Sequence, residues 1–369
     1  MENKKIMRMR RGVLVLEDGT IYDAYHFGAP VSSSGEVVFN TAMTGYTESI
    51  TDPSYKGQIL TFTYPIIGTY GVPYSSYKEK ISEFYESDKI QVSGLLVSYY
   101  SNHPYHWNMN LSLSEWLYKN GIPGLYGVDT RYIAKKLREN GGSMLGKILM
   151  KEEKDNHNFY DPNEENLSKK VSTNKIIVYG NGKHKILIVD FGLKNNILRC
   201  LLQRDCTVVR VPWDYDFTNE EYDGLILSNG PGNPEIYEKP IHYIRIVMKK
   251  ERPIPIFGIC LGNQLLGIAA GGDTYKLKYA HRGHNQPVIS LQTRRSFITS
   301  QNHGYVLDTK NISDKWKIFF KNLNDNTCEG IIHNDKPFFS VQFHPEASGG
   351  PTDTEFLFDF FINSIVKNK

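Results

Sequence analysis

No apolar run in this 369-residue sequence approaches the roughly 20 residues that a membrane-spanning helix requires, so an integral membrane protein is not expected. Cysteine is scarce: Cys200, Cys206, Cys260 and Cys328 are the only four, and none forms a C-x-x-C pair. The spacing offers no close metal-type pair, and without a secretory signal a reducing cytoplasm is the expected compartment. Charge of one sign is also missing. Forty-three basic and 40 acidic residues leave a net charge of +3, too even for nucleic acid or an anionic membrane as the main partner. The basic N-terminus (Lys4, Lys5, Arg8, Arg10, Arg11) is followed by only five apolar-rich residues, Gly12 to Leu16, and then by Glu17-Asp18-Gly19. We therefore expect a solvated arm leading into a first strand rather than a signal peptide.

What remains is an ordinary globular composition, 40% hydrophobic and 22% charged, in a chain long enough for two or three domains or one large one. A charged stretch from Lys151 to Lys175 reads as a linker or as an irregular surface excursion with a short helix. We place the domain boundary near its end, giving domains 1–182 and 183–369. The first part reads as mixed α+β. Strands are expected at Gly12–Leu16, Val37–Phe39, Gln58–Phe62 and Val92–Val97, and helices at Leu113–Lys119 and Asp129–Glu139, the latter capped by Asp129 or Thr130. It shows no metal cluster and no nucleotide fingerprint.

The second part alternates. Strands are expected at Lys185–Val189, Thr207–Val211, Leu225–Leu227 and Ile254–Phe257, with helices at Asn195–Leu202, about Ile241–Lys250, and after Cys260. Later strands at Lys317–Phe320, Cys328–Ile332 and Pro337–Phe343 precede a closing helix over Glu355–Val366. The pattern predicts an α/β fold with a mostly parallel sheet flanked by helices.

The heptapeptide Gly258-Ile259-Cys260-Leu261-Gly262-Asn263-Gln264 sits where a strand turns into a helix. Helix amides and the helix dipole stabilise a thiolate there, and the flanking glycines permit a tight turn. Downstream, His344-Pro345-Glu346 offers a base and a carboxylate. A turn begun by Pro345 could fold the carboxylate back beside the imidazole, giving a Cys-His-Glu triad. Oxyanion donors could come from the Leu261 amide and, if its strand neighbours that of Cys260, from Gly230 in the loop Ser228-Asn229-Gly230-Pro231-Gly232-Asn233-Pro234. Taken singly, each feature has a plainer reading: a core cysteine, a turn, a buried histidine.

As a set, Leu227–Gly232, Gly258–Gln264 and His344–Glu346 resemble the three signatures of class I, triad-type glutamine amidotransferases. The segments Gly35–Tyr46, Thr51–Tyr55, Thr63–Gly68, Gly127–Arg131, Asp190–Ile197 and Gln301–Tyr305 resemble the carbamoyl-phosphate synthase small chain, and the resemblance covers nearly the whole sequence. It implies a glutaminase subunit that forms glutamate and ammonia with Cys260, His344 and Glu346. Gly230 and Leu261 would be the oxyanion donors. Ser54, Gly230, Gly232, Leu261, Gln264, Asn302, Gly304 and Tyr305 would hold L-glutamine. Ser54 belongs to the N-terminal part, which implies a pocket near a domain interface.

The resemblance also implies a separate large synthetase subunit that receives the ammonia and uses ATP, Mg and bicarbonate. No cofactor and no metal site are expected in this chain. A higher-order hetero-oligomer and the choice between arginine and pyrimidine synthesis stay open, as do two alternative functions: a glutaminase subunit for another biosynthetic synthetase, against which the N-terminal half argues, and a mainly structural or regulatory role. Asn263 stands where the family more often has histidine. In Ala280–Pro287, Ala280 and Gln286 depart from the family's Gly-His-Arg-Gly-x-Asn-His-Pro.

Overall fold

The computed structural model describes residues 10–151 and 156–368 in two compact units. Lys4, Lys5 and Arg8 of the expected N-terminal arm, and residues 152–155 of the charged stretch, lie outside the described residues.

The first unit takes the residues up to Thr41, Gly57–Tyr74 and Val92–Asp161. Its centre is a closed seven-stranded barrel. Around the wall the order is Arg11–Leu16, Ile21–Gly28, Pro123–Tyr126, Gly94–Val97, Gln58–Phe62, Ser33–Asn40 and Met144–Met150, which pairs back with Arg11–Leu16. Closure leaves no edge strand in this wall. Leu14, Leu16, Val37, Ile59, Leu96, Leu125 and Ile148 are fully buried in its core. The helix Thr130–Glu139 adds Ile133, Ala134 and Leu137 to that core. Its cap is Asp129, whose carboxylate accepts the Tyr132 amide at 2.9 Å. A capping box between Ser112 and Glu115 starts the helix Leu113–Lys119.

The second unit takes Ala42–Lys56, Ser75–Gln91 and Pro162–Lys369. Its ten-stranded sheet runs Ile177–Tyr179, Cys206–Pro212, His184–Asp190, Gly224–Leu227, Ile256–Ile259, Phe338–Val341, Cys328–His333, Trp316–Asn322, Asp273–Ser290 and Ser296–Asp308. The five strands from Cys206–Pro212 to Phe338–Val341 are parallel. The other ladders are antiparallel, dominated by the long hairpin Asp273–Ser290/Ser296–Asp308. Strand periodicity divides the core between two faces. Ile186, Ile188, Ile226 and Phe257 pack with Ile197, Leu201, Phe358 and Phe361 of two helices. Leu187, Val189, Leu225 and Ile256 pack with Ile241, Ile244, Val247, Leu265 and Leu266 of two others. Within the charged stretch, the described residues contain a short 3-10 turn, Pro162–Glu164, and a one-turn helix, Ser168–Val171.

Candidate active site at the ends of the parallel strands

In open α/β sheets, ligands bind beyond the carboxyl ends of the strands. Three adjacent parallel strands end here, with Leu227 beside Gly258 and Ile259 beside Val341. Each leads directly into one of the motif segments.

Cys260 occupies the turn between the strand Ile256–Ile259 and the helix Leu261–Ala269. Its φ of 53° and ψ of −102° are rare for a residue with a side chain, and such backbone strain clusters at functional sites. Close packing holds the turn. A Cβ on Gly262 would lie 2.0 Å from the Leu227 carbonyl oxygen, and one on Gly258 would lie 2.5 Å from the Gly262 oxygen. Only glycine fits either position as the backbone stands. The Gly262 amide donates to the Ser228 carbonyl at 3.0 Å, tying the Cys260 turn to the glycine loop. The Asn263 and Gln264 amides both donate to the Cys260 carbonyl. The Leu261 N–H, at the first helical position, has no acceptor among the described residues. Gly230 packs against the Leu261 side chain, where a Cβ would come within 2.9 Å of its Cδ2.

His344 pairs with Ser300, its amide donating to the Ser300 carbonyl at 2.9 Å. Its Nδ1 lies 2.7 Å from Glu346 Oε1. The chain reverses just beyond, with Ala347 and Ser348 both at positive φ. Glu346 Oε1 also meets Lys194 Nζ at 3.0 Å, and Lys194 donates to the Ala347 carbonyl at 2.8 Å. Asn196 Nδ2 donates to the Glu346 carbonyl. Lys194, His344 and Glu346 are all buried.

Burial disfavours charge on His344, but the Glu346 carboxylate, followed by Cys260, outweighs it and raises the imidazole to about 10. Burial likewise works against ionising Glu346, yet Lys194 first and His344 second lower it to about 2. Lys194 is desolvated as well, and Glu346, Glu86 and Asp52 together keep it charged with its pKa raised. His344 Nε2 has no hydrogen-bond partner of ordinary geometry among the described residues, yet Cys260 is close enough to help raise the imidazole. Gln342 Nε2 approaches Cys260 Sγ at 3.7 Å.

The other expected residues fall into two groups. Ser54 lies in a 3-10 turn of the second unit, where Asn229 Nδ2 donates to its Oγ at 3.0 Å. Gln264 Nε2 donates to the Tyr305 carbonyl at 2.9 Å and to Gln342 Oε1 at 3.2 Å. Asn302, Gly304 and Tyr305 lie on the strand Ser296–Asp308, whose Ser300 pairs with His344. Asn302 accepts from Arg282 Nη1, while its buried Nδ2 has no partner. Gly232 is at positive φ, where a Cβ would meet only Leu167.

Sequence reasoning gave no role to Lys194, Gln342, Asn229 or Asn196. Lys194 and Asn196 lie within Asp190–Ile197, and Gln342 precedes His344 by two residues, so the signal lay in the motif segments themselves. Asn263 is fully buried: Nδ2 donates to Gln342 Oε1 at 3.0 Å and Oδ1 accepts from Ser340 at 2.8 Å. It supports the same glutamine side chain that reaches Cys260. Ala280 is buried without polar demands, and Gln286 Oε1 accepts from Asn324 at the surface.

Comparison with known proteins gives two family matches. Residues 14–148 match the carbamoyl-phosphate synthase small chain CPSase domain, and residues 187–364 match the class-I glutamine amidotransferase family. The chain is 50% identical over 359 residues to the mitochondrial carbamoyl-phosphate synthase [ammonia] of Aquarana catesbeiana, covering 96% of this chain and 24% of the relative. The Homo sapiens protein of the same name gives the same identity and coverage. Multifunctional protein ura1 of Schizosaccharomyces pombe is 43% identical over 401 residues, covering 100% of this chain and 18% of the relative. The chain thus spans about a quarter or less of the length of these relatives. Among the described residues, no helix is long and apolar enough to cross a membrane.

Proposed function

We propose, for a chain that belongs to the carbamoyl-phosphate synthase small-chain family and joins that family's domain to a class-I glutamine amidotransferase domain, a glutamine-hydrolysing role within a larger synthetase. The Cys260 thiolate attacks the side-chain carboxamide carbon of L-glutamine. The Gly230 and Leu261 amides stabilise the tetrahedral oxyanion, and His344 protonates the departing ammonia. A thioester remains on Cys260. Water, deprotonated by His344, attacks it and releases glutamate. Glu346 orients the imidazole and keeps it charged, while Lys194 keeps Glu346 ionised. Ser54, Gly232, Gln264, Asn302, Gly304 and Tyr305 form the pocket for the amino acid. The ammonia passes to a synthetase module that supplies ATP, Mg and bicarbonate chemistry.

The observation that carries this reading is the ordered series Lys194, Glu346, His344, ending beside a cysteine on a strained strand-to-helix turn. The test is ammonia release from glutamine by the chain together with its synthetase module. Replacing Cys260 with serine should abolish it while synthesis from added ammonia continues. Unchanged release would overturn the reading.

One observation favours a second reading, a mainly structural or regulatory role: relatives half identical to this chain are named for ammonia. Under that reading the wild-type complex uses ammonia and never glutamine, and the exchange at Cys260 changes nothing.

A further inference from the structure

The hairpin that carries Asn302 and Tyr305 also carries part of a second buried cluster. His281 and His303 face each other across the pairing of Asp273–Ser290 with Ser296–Asp308, and Glu329 comes from Cys328–His333. All three are buried, and one ligating atom from each lies within 4.8 Å of the others. We propose that His281 Nδ1, His303 Nε2 and the Glu329 carboxylate bind a divalent cation of the zinc type.

Hydrogen-bond bookkeeping points to a cation. His281 Nδ1 is buried and accepts or donates no hydrogen bond, although Glu329 Oε1 lies 3.3 Å away. That separation matches the edge of a zinc tetrahedron, roughly 3.3 Å for bonds of about 2.0–2.1 Å. His303 has an oxygen 3.0 Å from each nitrogen: the Tyr305 carbonyl at Nδ1 and Gln301 Oε1 at Nε2. A neutral imidazole carries one N–H, so one of these contacts holds no proton. Turning the Gln301 amide would break its donation from Nε2 to Glu329 Oε2 at 3.0 Å and to Thr299 Oγ1 at 3.1 Å. A cation between the rings takes the His281 and His303 lone pairs and leaves Nδ1–H of His303 on the Tyr305 carbonyl.

The surroundings have the form that metal sites use to orient their ligands. Asp325 Oδ2 holds His281 Nε2 at 2.8 Å, and Asn322 Nδ2 donates to Glu329 Oε1 at 3.1 Å. Two histidines and a carboxylate are a zinc-type donor set. The bound cation would fix His303, and through it the Tyr305 carbonyl that accepts Gln264. Cation binding itself does not depend on the proposed glutaminase reading.

The competing arrangement is a protonated His281 bridging Asp325 and Glu329 with no metal. To separate the two, the full chain carrying Cys260→Ser, which removes that thiol as a zinc ligand, is stripped with chelator and titrated with zinc chloride by calorimetry and elemental analysis. We expect saturable binding of one zinc per chain. His281→Gln and Glu329→Gln should each weaken it by more than the roughly 10–100-fold typical of losing an outer-shell partner. Absence of saturable binding, or binding unchanged in both variants, overturns the proposal. Should either variant fail to fold, X-ray absorption of the zinc-loaded parent decides: an imidazole-containing nitrogen/oxygen shell supports the site, and a sulfur shell or one without imidazole overturns it.

Discussion

Glu346 Oε1 stands 2.7 Å from His344 Nδ1 although only Pro345 separates the two residues in the chain. The backbone achieves this with a tight turn directly after the His344–Ser300 pair: the Ala347 amide donates to the His344 carbonyl at 3.2 Å, and Ala347 and Ser348 follow at positive φ. The carboxylate is thereby shared between an imidazole and a buried ammonium.

Exchange of Glu346 for glutamine removes the largest contribution that raises His344. The His344 pKa is raised from 6.5 to about 10, so its stabilising contribution is complete below pH 6.5 and is lost as pH rises through about 10. In Glu346→Gln the alkaline limb of kcat/KM for glutamine should move down toward neutrality. The maximum rate should fall by roughly 10²–10⁴, the usual range for general acid–base catalysis. A pH–rate profile on both proteins measures it.

Replacing Lys194 with methionine strands Glu346 with one partner fewer in a buried site. Loss of one member of a buried pair costs about 3–5 kcal/mol, visible as a lower denaturation midpoint. Glu346 is lowered from 4.5 to about 2, so its contribution is present above pH 4.5 and disappears as pH falls through about 2. In Lys194→Met that contribution shrinks, and stability should depend less on pH across this window.

Gly262→Ala tests the packing of the Cys260 turn. A Cβ 2.0 Å from the Leu227 carbonyl forces the helix away from the glycine loop. We expect destabilisation of about 1–3 kcal/mol by overpacking. Glutamine turnover should drop further than stability explains, because Leu261 and Gly230 lose their mutual position. Unfolding and turnover measured on one preparation separate the two effects.

Asn263→Ala leaves the Ser340 hydroxyl and Gln342 Oε1 without that side chain. Each unmade buried hydrogen bond costs about 1–3 kcal/mol. Gln342 should become mobile beside Cys260, lowering kcat more than it raises KM for glutamine. Steady-state kinetics at a temperature where the variant stays folded checks it.

Much of the second unit was legible because each parallel strand is a short apolar run bounded by turn residues, as at Leu225–Leu227 before the glycine loop. The helices Leu113–Lys119 and Asn195–Leu202 coincide with the observed ones because their apolar spacing and flanking residues agree. The strand Ile21–Gly28 was not legible: Asp23 and His26 interrupt it, and only Ala24 and Phe27 are buried. Pro123–Tyr126 opens on Pro-Gly, which reads as a turn. The hairpin Asp273–Ser290/Ser296–Asp308 carries register shifts beside His281 and Gly283 that break its alternation. At the site, the motifs named Cys260 and His344 because their chemistry is particular. Lys194 escaped, since a lysine at the start of a helix reads as a solvated charge until Glu346 is seen beside it. His281, His303 and Glu329 come from three strands and share no sequence spacing.

The most direct measurement is covalent labelling of the full chain by a glutamine-like electrophile, with mass spectrometry locating the adduct, run with and without the synthetase module. We predict one adduct, on Cys260, blocked by excess glutamine and absent in Cys260→Ser. An unlabelled Cys260 under conditions that support glutamine-dependent synthesis, or labelling that glutamine does not block, would contradict a nucleophilic role for this residue.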